Sequence, residues 1–225
     1  HGTTLVINTF VNRSGAKTAL VTTRGFRDVL ELRRGNRPIP FDLRYRRDPI
    51  LVERDRRFEA DERMDARGQP LVPLDPESLA PLIDILKAQE IEAVAVSFVN
   101  AHTNSAHEEA AAAFLRAHLP GVYVTAGTDI SREWYEYERS SSAVANAYVG
   151  PRVKDYVDRF ATRLAEEGFD RTFYMMGSNG GVLSLERSFN QPVMLVESGP
   201  IGGCIGATAL ADVLGLSQAI AFDMG

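Results

Sequence analysis

Apolar positions along the chain alternate between helical spacing and uninterrupted short runs. Leu5, Val6, Ile7, Phe10 and Val11 follow Gly2-Thr3-Thr4. This pattern predicts a short helix capped by Thr3 or Thr4, with Gly15 as the left-handed residue at its end. The run 17–22 has no polar alternation and predicts a buried strand. Arg24-Gly25-Phe26 then turns into a short helix over 27–33. Asp75-Pro76-Glu77-Ser78 opens a helix whose apolar face is Leu79, Leu82, Ile83, Ile85 and Leu86. Residues 93–98 read as a second fully buried strand, followed by a helix over 105–118 and a strand over 122–125. That β-α-β order implies parallel pairing through a right-handed crossover. A long helical tract spans 137–168, with an interruption expected at Gly150-Pro151. A strand over 171–176, a tight turn at Ser178-Asn179-Gly180-Gly181, a Gly- and Ala-rich helix over 199–214 and a last strand over 217–222 complete the pattern. Helices and strands in this rhythm predict a layered α/β fold.

Residues 35–76 break the rhythm with prolines, arginines and short alternating stretches. They read as an inserted β-hairpin region on the surface. A domain break is expected near residue 170.

Composition narrows the function classes. In 225 residues, 44% hydrophobic and 24% charged content is ordinary for globular domains, enough for one large domain or two small ones. The net charge of −5 is spread along the chain, which argues against a nucleic-acid partner. Arg44, Arg46, Arg47, Arg54, Arg56 and Arg57 are interleaved with Asp48, Glu53 and Asp55, as on a solvated, salt-bridged surface. The single cysteine, Cys204, excludes an internal disulfide framework and fits a reducing, cytoplasmic compartment. Small residues surround it, so it reads as packing rather than as a nucleophile. No apolar run is long enough to span a bilayer, and no signal peptide is visible. The chain opens on His1 inside a helical pattern, so its start is expected to be a cut rather than a natural terminus.

Three Gly-rich segments carry candidate chemistry. Phe222-Asp223-Met224-Gly225 closes the last expected strand, and an acidic residue at a strand end is where an α/β sheet presents its ligand edge. Asp223 would hold a metal ion there, directly or through water, and Gly225 would begin a phosphate-cradling turn. Glu197-Ser198-Gly199-Pro200-Ile201-Gly202-Gly203 follows a strand-like segment and opens an apolar helix. Ser198, Gly199, Gly202 and Gly203 are the phosphate-side candidates, because glycines admit close approach and a helix start attracts anions. Packing alone accounts for those glycines equally well, and no Gly-Lys-Ser/Thr follows them. Ser178, Asn179 and Gly180 form a turn at another strand end; alone, they read as a plain hairpin turn. His102, His107, Glu108 and Glu109 lack zinc spacing and read as structural. Glu136, Glu138 and Arg139 lie among Trp134, Tyr135 and Tyr137, as in an interface or helix-start network. No catalytic triad is readable.

Together these segments resemble the hydantoinase A/oxoprolinase family, which includes subunits of acetone and acetophenone carboxylases. The resemblance runs in order through His1-Gly2-Thr3-Thr4 with Asn8, residues 15–28, Arg34-Gly35-Asn36-Arg37-Pro38, Glu136-Tyr137-Glu138-Arg139 and Asn146-Ala147-Tyr148. It continues through Ser178-Asn179-Gly180-Gly181, Ser198-Gly199-Pro200 with Gly202-Gly203, and Phe222-Asp223-Met224-Gly225. It implies a fragment of an actin-like ATPase fold of the acetate kinase/sugar kinase/heat-shock-protein type, with a mixed sheet, flanking helices and the insertion. On this reading 1–170 is an N-terminal-type domain lacking its first strands, and 171–225 begins the second ATPase domain. One phosphate loop would lie upstream of His1, and the other would run past Gly225.

The resemblance further implies ATP with Mg2+ or another divalent cation, and a cyclic amide or ketone substrate. A partner subunit of the hydantoinase B/carboxylase type is implied too. Thr3, Thr4, Asn8, Ser178, Asn179 and Gly180 become substrate-side candidates. The family chemistry would be ring opening of a hydantoin or 5-oxoproline after carbonyl phosphorylation, or ATP-driven ketone carboxylation. A non-catalytic assembly module is a third class of reading, with catalytic residues unassigned in every case.

Overall fold

A computed structural model describes residues 1–37 and 39–224. In chain order it contains α1 (Leu5–Val11), β1 (Thr18–Thr23), α2 (Val29–Leu32), β2 (Arg57–Ala60), β3 (Arg63–Met64) and β4 (Pro70–Val72). Next come α3 (Ala80–Ala88), β5 (Ala93–Ser97), α4 (Ala106–His118), β6 (Tyr123–Ala126) and α5 (Glu136–Glu166). β7 (Met175–Met176), β8 (Val182–Leu183), α6 (Leu185–Asn190) and α7 (Ser198–Leu214) complete it. Two compact units result: Ala16–Tyr148, and His1–Gly15 together with the chain from Val149 onward. Residue 170 lies inside the second unit.

The first unit is built on a sheet of order β2-β1-β5-β6. All three pairings are parallel, with Thr18 opposite Ala93 and Ala93 opposite Tyr123. The described sheet is therefore parallel throughout, where the resemblance implied a mixed one. β1 and β5 are buried at every position, because both faces of the sheet are covered. Side chains alternate between the faces. Ala19, Val21, Val94 and Val96 meet Leu82 and Leu86 of α3 and Phe114 and Leu115 of α4. Leu20, Ala93 and Ala95 meet Leu30 of α2 and Ala143, Val144 and Ala147 of α5. The result is a helix–sheet–helix sandwich.

β2 corrects the reading of 35–76 as a surface insertion. It pairs with β1 as the edge of the main sheet, and only β3 and β4 form an antiparallel hairpin. Arg57 hid the place of this strand in the main sheet, since an arginine that is 1% exposed is rare. Its Nε donates to the Val52 carbonyl at 2.9 Å, and its Nη1 lies 3.3 Å from the Glu31 carboxylate. Residues 39–53 form turns and irregular chain.

In the second unit α1 ends on Asn12, and the left-handed residue after it is Arg13 (φ 49°), not Gly15. Thr4 precedes α1 without a side-chain capping bond. The strand-like segment before Glu197, read over 192–196, is a 3-10 turn over Pro192–Leu195, and of 171–176 only β7 is extended. β7 and β8 pair as a short hairpin. No strand forms over 217–222 among the described residues, because no neighbouring strand offers a ladder of hydrogen-bonding groups. α5 runs through Gly150-Pro151 without the expected interruption.

Candidate functional site

Within the second unit the chain folds three of the segments singled out in the sequence onto one another. The Thr3 amide donates to Ser198 Oγ at 3.0 Å, and Ser198 Oγ donates to the Thr3 carbonyl at 2.9 Å. Ser198 is fully buried. The packing beside this pair leaves no room for side chains. A Cβ on Gly2 would stand 2.8 Å from the Ser198 carbonyl oxygen, and one on Gly199 would stand 3.1 Å from Thr4 Cγ2. Asn8 Nδ2 reaches Thr4 Oγ1 at 3.4 Å across one turn of α1.

Ser178 joins the same assembly from the β7–β8 hairpin. Its hydroxyl donates to the Met194 carbonyl at 2.8 Å and accepts from the Glu197 amide at 3.0 Å. Asn179 Oδ1 accepts from the Gly181 amide at 3.0 Å, and Gly180 has φ 81°, which closes the turn. A Cβ on Gly180 would lie 3.3 Å from Ile205 Cδ1 of α7. The hydroxyls of Ser178 and Ser198 are thus committed as struts. The amides of Ser198 and Gly199 open α7 behind Glu197, which makes no side-chain cap. Uncapped first-turn amides attract anionic oxygens.

Other predicted residues lie differently. Gly202 and Gly203 fall inside α7 rather than in a loop; Gly202 faces Met176, and a Cβ on Gly203 would meet nothing within 4 Å. Asp223 is exposed and follows irregular chain rather than a strand end. Gly225 lies outside the described residues, as does Pro38. Among the described residues no group of three or more His, Cys, Asp or Glu is poised to hold a metal ion.

Sequence reasoning missed a second constellation, inside the first unit. β1, β5 and β6 end side by side, and buried charge fills that edge. Glu108 accepts from the amides of Phe98 and Thr128, both at 2.7 Å, and lies 3.6 Å from Arg139. Both side chains are wholly buried. Arg139 donates to the Phe98 carbonyl at 2.7 Å and pairs with Glu136, which accepts from the Asn100 amide at 3.0 Å. Burial pushes the Glu108 carboxyl above its ordinary value of 4.5, against the pull of those two amides and of Arg139. Gly127 makes room, since a Cβ there would come 3.3 Å from Glu108 Oε1.

Beside it, Thr23 Oγ1 donates to Glu62 and accepts from the Val99 amide at 2.9 Å. His107 Nε2 accepts from the Leu74 amide at 3.3 Å, so its proton sits on Nδ1 and donates to Glu62 at 2.7 Å. His107 and Glu108 are therefore structural, as expected, but as struts from the first turn of α4 to the strand ends. The visible signal was the run Glu136-Tyr137-Glu138-Arg139; its buried partners lie far away in sequence.

No helix among the described residues is long and apolar enough to cross a membrane.

Comparison with known proteins matches the same segments. The model for the hydantoinase/oxoprolinase N-terminal region covers residues 1–119, and the hydantoinase/oxoprolinase model covers 139–225. Protein MJ0964 of Methanocaldococcus jannaschii, which is uncharacterized, is 36% identical over all of this chain and 34% of its own length. Caprolactamase subunit alpha of Pseudomonas jessenii is 33% identical over all of this chain and 33% of its own. The crystal structure of the ATP-dependent caprolactamase from that organism superposes with TM-score 0.84 at 31% identity, over all of this chain and 33% of that one. Nucleotide-free acetone carboxylase superposes with TM-score 0.81 at 25% identity, over 95% of this chain and 32% of that one. The chain thus spans about a third of the length of these relatives. Its α/β architecture is a fragment of the fold of these two enzymes, and the chain belongs to the hydantoinase/oxoprolinase family.

Proposed function

We propose that the whole protein is an ATP-dependent hydrolase that opens a cyclic amide, and that this chain contributes part of its phosphate-handling surface. The observation that carries the reading is the convergence of Thr3, Ser178 and Ser198 at the start of α7. The relationship to a caprolactamase subunit supports the amide class. An amide carbonyl is a poor electrophile, and bound ATP with its divalent cation supplies the phosphoryl group that converts the oxygen into a leaving group.

The amides of Ser198 and Gly199 fit the role of holding phosphate oxygens. The Asp223 carboxylate is the hard oxygen donor that suits Mg2+, directly or through water. The reciprocal Thr3–Ser198 pair fixes where those amides point, which is what electrostatic stabilisation of developing charge requires. Gly202 and Gly203 keep α7 slim, Gly225 continues the turn after Asp223, and Thr4, Asn8, Asn179 and Gly180 face the substrate side. In this assignment 1–170 and 171–225 belong to successive domains of a cytoplasmic enzyme, consistent with a lone cysteine. A partner subunit of the hydantoinase B/carboxylase type completes it.

Likeness to acetone carboxylase favours a second reading, an ATP-using ketone carboxylase subunit. Product analysis on the whole protein with its partner subunit separates the two. Lactam-dependent release of ADP, phosphate and ring-opened amino acid is the expected result. ATP turnover that needs a ketone and bicarbonate, with none on lactams, would sink the hydrolase reading.

A further inference from the structure

In the first unit, residues 39–45 form a fixed loop outside the sheet. The Asp42 amide donates to the Ile39 carbonyl at 3.2 Å, the Tyr45 amide to the Asp42 carbonyl at 3.3 Å, and the Arg44 amide to Asp42 Oδ1 at 2.8 Å. These turns hold the backbone while the side chains of Phe41 and Leu43 stand in water, 92% and 95% exposed. Just before α5, Trp134 is 76% exposed and Tyr135 about half. Arg34, which leads into the loop, reaches the same end of α5. Its Nε pairs with Glu138, and its guanidinium lies 4.5 Å from the centre of the Tyr135 ring.

At about 150–250 Å² per aromatic side chain, Phe41, Trp134 and Tyr135 leave on the order of 400 Å² in water. That is the scale on which exposed apolar surface marks an interaction site. Tryptophan, tyrosine and arginine are also the side chains that dominate binding energy at protein interfaces. Around the loop Arg37, Arg44 and Arg46 are exposed and have no carboxylate partner among the described residues. The rim is therefore positive, on a chain whose net charge is −5.

We infer that this surface docks a second, different protein chain, whose contacting face is apolar at its centre and acidic at its edge. Charge decides against a second copy, since a twofold contact through this face would set the arginine rim against itself. Arg33 Nε, in the recess between the loop and α5, is buried without a hydrogen-bond partner among the described residues. A carboxylate on the partner's edge completes it, whereas a fluid lipid surface offers no fixed acceptor. The inference rests on the partner subunit of the proposed function and gives that subunit a place on this chain.

The test mixes the whole protein with the separately purified hydantoinase B/carboxylase-type subunit and follows the complex by sedimentation velocity and hydrogen exchange. A complex is expected, with slowed exchange at the amides of 39–45 and 132–135. Phe41→Asp and Trp134→Ala should each weaken it about thirtyfold, the scale of an interface hot spot. Both should melt as the unaltered protein does, because neither side chain lies in the core. Arg44→Glu combined with Arg46→Glu should slow association about tenfold at low salt and flatten its salt dependence. No complex, or an affinity that all these variants leave unchanged, would overturn the inference. Self-association that Phe41→Asp abolishes, or Phe41-dependent sedimentation with phosphatidylserine vesicles in place of the complex, would overturn it too. ATP turnover is scored apart: lactam-dependent turnover without a complex keeps the hydrolase reading and removes the docking surface, and a complex that turns over only a ketone does the reverse.

Discussion

Ser198 and Thr3 are joined twice, the Thr3 amide donating to the Ser198 hydroxyl and that hydroxyl donating to the Thr3 carbonyl. The chain between them contains nearly the whole sequence, so one buried oxygen closes a very long loop. Ser198→Ala leaves a buried amide and carbonyl without partners, at about 1–3 kcal/mol. Urea denaturation should show that loss. Nucleotide affinity of the whole protein should fall as well, because the first turn of α7 loses its anchor.

Glycines of the first segment and of α7 should respond with opposite signs. Gly2→Ala drives a methyl group to 2.8 Å from the Ser198 carbonyl oxygen and should destabilise by about 1–3 kcal/mol. Gly203→Ala places its methyl in open space within α7 and should stabilise by about 1 kcal/mol through helix propensity. Melting temperatures of the two variants decide this, and equal effects would contradict the close approach at Gly2.

Glu108 makes stability depend on pH. Its carboxyl is raised above the ordinary 4.5, so the folded state holds the proton more tightly than the unfolded chain. Its contribution is complete below the unfolded value and is lost as pH rises through the folded one. Glu108→Gln removes that slope. It also leaves one of the Phe98 and Thr128 amides facing an NH2 group, at about 1–3 kcal/mol. The comparison is denaturation of both proteins from pH 4 to pH 8, roughly the span over which a buried carboxyl titrates. A parallel pair of curves would refute the assignment.

Thr23 tests the neighbouring cluster. Thr23→Val keeps the shape of the side chain but strands the Val99 amide and removes a donor from Glu62. A loss of about 2–4 kcal/mol is expected from two unsatisfied buried groups. Thr23→Ser retains the hydroxyl and should recover most of it.

The sequence made the centre of the sheet legible because β1 and β5 are uninterrupted apolar runs, as strands covered on both faces must be. α3 and α4 were legible through their spaced apolar faces. The place of β2 in that sheet was not, since Arg57 and Glu59 disguise an edge strand whose burial depends on nearby Val52 and on Glu31 far upstream. The expected strand over 217–222 is apolar enough, but a strand exists only where another pairs with it. At the candidate site the sequence identified Thr3, Ser178 and Ser198, while the roles of their hydroxyls followed only from the fold. The Glu108–Arg139 pair lay hidden because burial of charge is decided by partners distant along the chain.

The parallel sheet also dictates an order of assembly. Parallel neighbours cannot zip from a tight turn, so each pairing waits for a loop to close, at a cost that grows with loop length. β5 and β6, bridged by α4 alone, close the shortest such loop in the sheet. β1 meets β5 only across a much longer stretch that holds α2, β2, the β3–β4 hairpin and α3. The β5–α4–β6 segment is therefore the expected kinetic seed of this sheet. Mutations at Val94 or Leu115 should slow refolding, whereas changes in β2 should mainly speed unfolding.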